Sequence, residues 1–152
     1  MTPTRNCEVH YEMYIDGASR GNPGPAGVGV VLLDGNAKSV QQFGKYIGQA
    51  TNNVAEYLAL IYGLQAAVRV GAVSISVRTD SELLARQVNG RYRVRDAHLR
   101  LFHDLAVDLL SGFQRCSVEH IPRSLNTLAD RLAGQAIVNA TRSAGRASLF
   151  DN

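Results

Sequence analysis

Residues 13–27 read MYIDGASRGNPGPAG, an apolar segment that meets a loop of glycine, asparagine and proline at Asp16. The alternation of apolar and polar side chains before Asp16 predicts a β-strand with two different faces. The following glycines, beginning with Gly17, let the backbone approach a ligand closely because they carry no Cβ. An Asp-Gly pair also commonly opens a turn. The stretch therefore predicts either a simple turn or a ligand site where the strand ends at Asp16.

The segments after this loop predict two more strands and then a change to helical periodicity. Residues 27–33 form a short apolar run, and Asp34-Gly35-Asn36 is a hairpin signal that leads into a third strand ending near Ile47. Apolar residues then recur at three- and four-residue steps, which is typical of an amphipathic helix. The remaining predicted elements are a helix at 53–70, a strand at 73–79, helices at 81–88 and 97–110, a strand at 116–121 and a helix at 126–139.

The resulting order, βββαβααβα, predicts an α/β fold. Strands joined through a helix return parallel by right-handed crossovers, so we expect a five-stranded mixed sheet with an antiparallel edge and helices on both faces. Ligands bind such sheets beyond the carboxyl ends of the parallel strands. The length of 152 residues fits one domain, which we place at 1–140, followed by a flexible tail at 141–152 that is rich in small and polar residues.

Composition restricts the protein class but does not assign a function. A net charge of +3 permits a polyanionic partner without requiring one. Cys7 and Cys116 stand far apart and belong to no Cys/His cluster, which argues against a zinc site or a disulfide framework. No segment approaches the roughly 18 apolar residues of a membrane span, and residues 1–13 lack the apolar core of a signal peptide. We therefore expect a soluble, cytoplasmic protein with no membrane partner, and a monomer.

Four acidic residues fall where the predicted topology brings them to one edge of the sheet: Asp16, Glu56, Asp80 and Asp130. Each has a local alternative, since Glu56 can form a capping box with Asn53, Asp80 can cap a helix, and Asp130 can favour a helix N-terminus. Gathered together, unpaired carboxylates repel one another, so a cation is expected among them. Oxygen ligands without His or Cys favour Mg²⁺ or Mn²⁺. We predict two ions that share Asp16 as a ligand.

Four strings carry a family resemblance in this order and spacing: YIDGASRGNPGPAG, TNNVAEY, TDSELL and NTLADRLA. They resemble ribonuclease H type 1, and the similarity covers residues 11–137. The family's four-carboxylate site falls on the same four acids. The resemblance implies an RNase H-like fold and Mg²⁺-dependent hydrolysis of the RNA strand of an RNA/DNA hybrid. The expected products carry 5′-phosphate and 3′-hydroxyl ends, and Mn²⁺ is a possible substitute metal.

The resemblance also implies contacts with the substrate. Asn22, Asn52 and Asn53 match family residues that contact the hybrid from its minor groove. Amide side chains both donate and accept hydrogen bonds, which suits recognition of 2′-hydroxyl groups there. Thr51 matches a contact to a phosphate of the DNA strand, and Gly17 is expected to contact the substrate as well.

The chain departs from the family pattern in two places. The flexible loop before the last helix lacks the family's His and contains Arg123, which we expect to bind the scissile phosphate or the displaced product. His120 comes slightly earlier and is either an aid to proton transfer or a packing residue. The chain has no Trp and lacks the family's basic protrusion, so Arg93 and the neighbouring arginines of 91–95 form the only basic strip in that region. We expect weaker, more salt-sensitive binding of the hybrid than in relatives with the protrusion.

Two alternative functions and one further partner remain open. The chain is either a nuclease or a hybrid-binding module of the same fold that does not catalyse, and a DNA-strand transferase would share the logic of the carboxylates. Ser148-Leu149-Phe150 partly resembles the short peptides by which bacterial replication proteins dock on a sliding clamp, but it lacks their usual leading Gln, and a frayed tail or a Phe150 packed back on the domain is the favoured explanation.

Overall fold

The structure, a computed structural model, describes the backbone of residues 10–150 and the side chains of residues 10–143. Its elements follow the predicted order βββαβααβα. They are β1 His10–Ser19, β2 Gly24–Leu33, β3 Ser39–Ala50, α1 Asn52–Arg69, β4 Ser74–Thr79, α2 Glu82–Val88, α3 Ala97–Ser111, β5 Arg115–His120 and α4 Thr127–Phe150, with a short 3-10 turn at Arg123–Leu125.

The strands form one five-stranded mixed sheet in the spatial order β3-β2-β1-β4-β5. β1 pairs antiparallel with β2, and β2 pairs antiparallel with β3. β1 and β5 both run parallel to β4. The predicted α/β fold with an antiparallel edge is therefore confirmed.

Helices cover both faces of this sheet. Ile15 of β1 pairs with Val30 of β2, and both are buried on the face that α1 covers. On that face a Cβ at Gly63 of α1 would lie 2.6 Å from Met13 Sδ. The neighbouring positions point the opposite way because side chains alternate along a strand. There a Cβ at Gly29 would lie 2.0 Å from the backbone oxygen of Ala129 in α4.

β1 is longer than the sequence predicts, and Asp16 lies within it rather than at its end. Pairing of β1 with β4 stops at Ile15, which lies opposite Thr79. Pairing with β2 continues until Ser19 lies opposite Ala26. Asp16 is therefore the first residue beyond the parallel pairing, while the antiparallel hairpin holds it in an extended backbone. β2 and β3 also extend beyond their predicted bounds because they share this hairpin ladder.

The last helix also differs from the prediction, since it continues to Phe150 instead of ending near Asn139. No proline follows Asn139, and alanines recur through the last turns. Gly145 disfavours a helix by only about 1 kcal/mol relative to alanine, and the helix continues past it. The division into a domain at 1–140 and a flexible tail at 141–152 stays a prediction. The side chains of Ser148-Leu149-Phe150, on which the sliding-clamp hypothesis depends, lie outside the described residues.

Among the helices that the structure describes, none is both long and apolar enough to cross a membrane.

Candidate active site

Three of the four predicted carboxylates converge at one edge of the sheet. Asp16, Glu56 and Asp80 each offer an oxygen, and these oxygens lie within 4.8 Å of one another. We call these three residues the carboxylate cluster. The fourth acid, Asp130, lines the same cavity of about 360 Å³. The structure thus brings all four together, with Asp130 less closely associated than the other three.

Glu56 is held in place by the backbone of β1. The N–H of Gly17 donates a hydrogen bond to Glu56 Oε1 at 2.7 Å. A Cβ at Gly17 would lie 2.3 Å from the backbone oxygen of Ala55, so only glycine lets the first turns of α1 come this close. Gly17, predicted as a substrate contact, therefore has a clear structural part in the position of Glu56.

The local alternative for Glu56 is not what the structure contains. Thr51, and not Asn53, caps α1, because Thr51 Oγ1 accepts the N–H of Val54 at 3.2 Å. Glu56 lies too far along the helix to complete a capping box with Thr51. Its carboxylate is instead buried against β1, with 6% of the residue exposed.

Asp80 likewise has no part in capping α2. Ser81 is the cap, and Ser81 Oγ accepts the N–H of Leu84 at 3.1 Å. The hydroxyl of Thr79 in turn accepts the N–H of Ser81 at 3.0 Å. Asp80 lies between these two capping residues at the end of β4. Its carboxylate therefore stays available to the cluster.

Asp130 reaches the site because α4 packs tightly on β1 and β2. Gly29 pairs with Asp16 across the two strands, and the missing side chain at Gly29 leaves room for the helix backbone. Asn126, just before α4, is 1% exposed, and its Nδ2 donates a hydrogen bond to the carbonyl of Ile15 at 2.8 Å. The N–H of Asp130 bonds to the carbonyl of Asn126 at 3.1 Å. Asn126 thus links the residue before Asp16 to the first turn that carries Asp130.

Sequence reasoning missed Asn126. An asparagine just before a helix is an ordinary N-cap signal, and nothing in the local sequence shows that its side chain bonds to a strand 111 residues away.

The electrostatics of the cluster disfavour negative charge without a cation. Burial raises the pKa of Asp16 far above its usual range, and the nearby Glu56 and Asp80 carboxylates raise it further. Burial also raises the pKa of Glu56 to about 8; the hydrogen bond from Gly17 opposes this rise, whereas Asp80 and Asp130 add to it. A divalent cation would offset this repulsion. Because the donors are all carboxylate oxygens, the cluster fits a hard divalent ion.

Some of the predicted substrate residues line the cavity, and others lie beside it. Asn52 lines it, and its N–H donates a hydrogen bond to Asn22 Oδ1 at 2.9 Å, which joins the glycine-rich loop to α1. Asn53 is exposed beside them. Thr51 directs its hydroxyl to the helix cap. Arg123 lines the cavity, and its Nη2 lies 3.7 Å from Asp130 Oδ1.

Two predicted residues do not join this group. His120 is exposed at the end of β5 and is not among the residues that line the cavity. Arg93 lines a separate depression with Tyr92, between α2 and α3. The guanidinium of Arg86 lies 5.2 Å from the centre of the Tyr92 ring, so this second region combines arginines with an exposed aromatic.

Comparisons with known proteins agree with this geometry. The family model described as "Reverse transcriptase-like" matches residues 14–136. Ribonuclease HI of Halobacterium salinarum is 47% identical over 138 residues, which cover 91% of this chain and 68% of that protein. The bifunctional protein Rv2228c of Mycobacterium tuberculosis is 47% identical over 130 residues, which cover 85% of this chain but only 36% of that protein.

A solved structure extends the comparison to a bound complex. The crystal structure of LC11-RNase H1 in complex with an RNA/DNA hybrid is 38% identical, with a TM-score of 0.82. The match covers 86% of this chain and 99% of that one. The chain therefore belongs to the ribonuclease H type 1 family.

Proposed function

We propose that this chain is an endoribonuclease that hydrolyses the RNA strand of RNA/DNA hybrids and leaves 5′-phosphate and 3′-hydroxyl ends. The observation that carries the proposal is the carboxylate cluster, in which three oxygens from β1, α1 and the end of β4 lie within 4.8 Å of one another. The relative crystallised with an RNA/DNA hybrid supports the choice of substrate.

The residues fit a two-metal site. Asp16, Glu56, Asp80 and Asp130 would hold Mg²⁺, with Mn²⁺ as a substitute, because small hard cations prefer carboxylate oxygens. When bound, a pair of such ions supplies positive charge to both the attacking and the leaving oxygens of a phosphodiester displacement. Asp16 interacts with the carboxyl groups of Glu56, Asp80 and Asp130, so it is the residue best placed to be the shared ligand.

Other groups of the chain hold the metal ligands in place and contact the substrate. The hydrogen bond from Gly17 fixes the carboxylate of Glu56, so this ligand needs little rearrangement before catalysis. Arg123 has 79% of its side chain exposed beside Asp130, where its guanidinium can contact the scissile phosphate or the displaced product. His120 does not border the cavity, and we assign it no proton-transfer step.

Selection of a hybrid rests on the amides beside the cavity. Asn22, Asn52 and Asn53 lie where the glycine-rich loop meets α1, and amides at this edge can bond to 2′-hydroxyl groups of the RNA strand. Thr51 is proposed to contact a phosphate of the DNA strand. Arg93 and Tyr92 form a second, more distant contact that would take the place of the family's basic protrusion.

The test is cleavage of a labelled RNA/DNA hybrid in Mg²⁺, with duplex DNA of the same sequence as substrate control. We expect cleavage of the RNA strand only. Asp80→Asn removes a carboxylate that would bind the metal directly. Loss of a residue that only orients a metal ligand lowers activity by roughly 10–100-fold, so we expect Asp80→Asn to lower turnover by more than this.

Asp108→Asn, on the exposed surface of α3, is the matched control and should retain full activity. Binding of the hybrid without cleavage by the unaltered chain would instead identify a hybrid-binding module. Cleavage of duplex DNA would favour another enzyme of the same fold. A cytoplasmic location and a monomeric state stay predictions.

A further inference from the structure

A second groove continues from the active-site cavity along the outer surface of α4. It has a volume of about 720 Å³, and arginines line it: Arg20, Arg123, Arg131 and Arg142. We call it the arginine groove. Its only acidic lining residue among the described side chains is Asp130. The groove is therefore strongly positive, and of its four arginines only Arg123 is among the predicted substrate contacts.

The groove and the active-site cavity are physically continuous. Ala18, Ser19, Arg123 and Asp130 line both of them. A strand with one phosphate at the carboxylate cluster would therefore pass Arg123 and enter the arginine groove without leaving the surface.

The arginines on α4 form a stripe suited to an extended ligand. Arg131 and Arg142 are eleven residues apart, which is about three turns, so they share one face of the helix and lie roughly 16 Å apart. Gln135 and Asn139 lie between them on the same face and also line the groove. A polar stripe of this length suits a polymer with repeated negative charges better than a single small anion.

Arg20 adds a cation from the other side of the groove. It lies in the loop between β1 and β2, and its Nη2 is 3.5 Å from the position that a Cβ would take at Gly134 of α4. The absence of a side chain at Gly134 thus lets the Arg20 guanidinium rest over the helix. Within the described part of the chain, Arg20, Arg131 and Arg142 belong to no ion pair shorter than 4.0 Å, so their charge is available to a partner.

We propose that the arginine groove binds phosphates of the RNA strand beyond the cleavage site and so extends the substrate contact along α4. This proposal rests on the proposed function, because the choice of strand follows from which phosphate occupies the carboxylate cluster. The groove compensates in part for the missing basic protrusion. It makes KM, more than kcat, depend on Arg131 and Arg142.

The test compares the double variant Arg131→Gln/Arg142→Gln with the unaltered chain on hybrids cleaved in Mg²⁺ at several salt concentrations. We expect KM to rise about 3–10-fold, as for the removal of two exposed charges that each pair with a phosphate, with kcat nearly unchanged. The slope of log KM against log salt should fall by about 1–2, close to 0.9 for each phosphate that the protein no longer neutralises.

The matched control is Arg115→Gln, which removes another exposed arginine where β5 begins, at the end of the sheet away from the carboxylates. Equal KM values and salt slopes for the double variant and this control would overturn the proposal. The strand assignment is tested with hybrids in which either the RNA or the DNA extends as a single strand. An RNA extension should lower KM only when the arginines are present, and the same benefit from a DNA extension would overturn the assignment.

The two proposals fail in different ways. Cleavage by the unaltered chain with an unchanged KM in the double variant refutes the groove alone. Binding of the hybrid is therefore also measured in EDTA by fluorescence anisotropy. Binding that depends on Arg131 and Arg142 without any cleavage in Mg²⁺ would support the groove and refute the nuclease, whereas no binding and no cleavage would refute both.

Discussion

Asn126 shows at the scale of one residue how two distant segments are brought into register. Its buried side chain bonds to the carbonyl of Ile15, and its own carbonyl accepts the N–H of Asp130. Asn126 therefore contacts both β1, the strand that carries Asp16, and α4, the helix that carries Asp130. A buried donor of this kind positions the carboxylates even though it need not touch substrate itself.

Replacement of Asn126 by Ala should lower both stability and the fit of Asp130 to the metals. We expect the free energy of unfolding to fall by about 1–3 kcal/mol, because the Ile15 carbonyl loses its buried donor. The Mg²⁺ concentration for half-maximal activity should rise, while KM for the hybrid changes little. Denaturant unfolding and Mg²⁺ titrations of activity measure the two effects.

Thr127→Ala is the control, since Thr127 is exposed at the start of the same helix. If Asn126→Ala loses stability but needs no more Mg²⁺ than the unaltered chain, Asn126 stabilises the fold without positioning Asp130 for metal binding.

At the scale of elements, glycines set the distances between the sheet and its two covering helices. Gly17 lets the first turns of α1 approach β1, and Gly29 lets α4 approach β2. Each contact lies beside a carboxylate of the site, Glu56 in the first case and Asp130 in the second. The close packing of α1 and α4 on the sheet therefore also brings Glu56 and Asp130 to the site.

Gly29→Ala should separate α4 from the sheet. The new methyl group would lie 2.0 Å from the backbone oxygen of Ala129, so the helix must shift and move Asp130 with it. We expect a loss of about 1–3 kcal/mol in the free energy of unfolding, as for overpacked cores, together with reduced turnover. Gly112→Ala is the control, because its Cβ has a nearest contact of 3.4 Å and its φ of −77° suits any residue. Equal stability of the two variants would contradict the packing argument.

At the scale of the whole molecule, the buried acids couple folding to pH and to metal. The folded state raises the pKa of Glu56 from an ordinary 4.5 to about 8 and raises that of Asp16 as well. At a pH between the ordinary pKa and the raised pKa of these carboxyl groups, the folded chain binds more protons than the unfolded chain. In the absence of metal, stability must therefore fall as pH rises through this window.

Thermal unfolding in EDTA should show this dependence between about pH 5 and pH 8. We expect the free energy of unfolding to fall by up to about 1.4 kcal/mol per pH unit for each group held protonated. Mg²⁺ should raise Tm most at the upper end, because it binds the charged carboxylates. Glu56→Gln should flatten the dependence, whereas the exposed control Asp108→Asn should keep it. A Tm independent of pH in metal-free buffer would count against the burial of these acids.

Much of the architecture follows from local patterns. The alternation in β1, the hairpin signal at Asp34-Gly35-Asn36 and the periodicity of α1 each act over a few residues, and the right-handed crossover rule then orders the strands. The element order and the position of the four acids at one edge were predictable for this reason. The end of α4 was not, because packing and entropy decide whether a helix continues past a single glycine such as Gly145.

The sequence by itself determined which side chains are available for chemistry and at which sheet edge they meet, because strand and helix periodicity and chain connectivity are local properties. Only the tertiary structure decided how closely they approach. The buried hydrogen bond of Asn126, the close approaches allowed by Gly17 and Gly29, and the approach of Arg20 to Gly134 of α4 all join residues far apart in the chain. Such distances depend on how the helices pack on the sheet, and no local pattern records them.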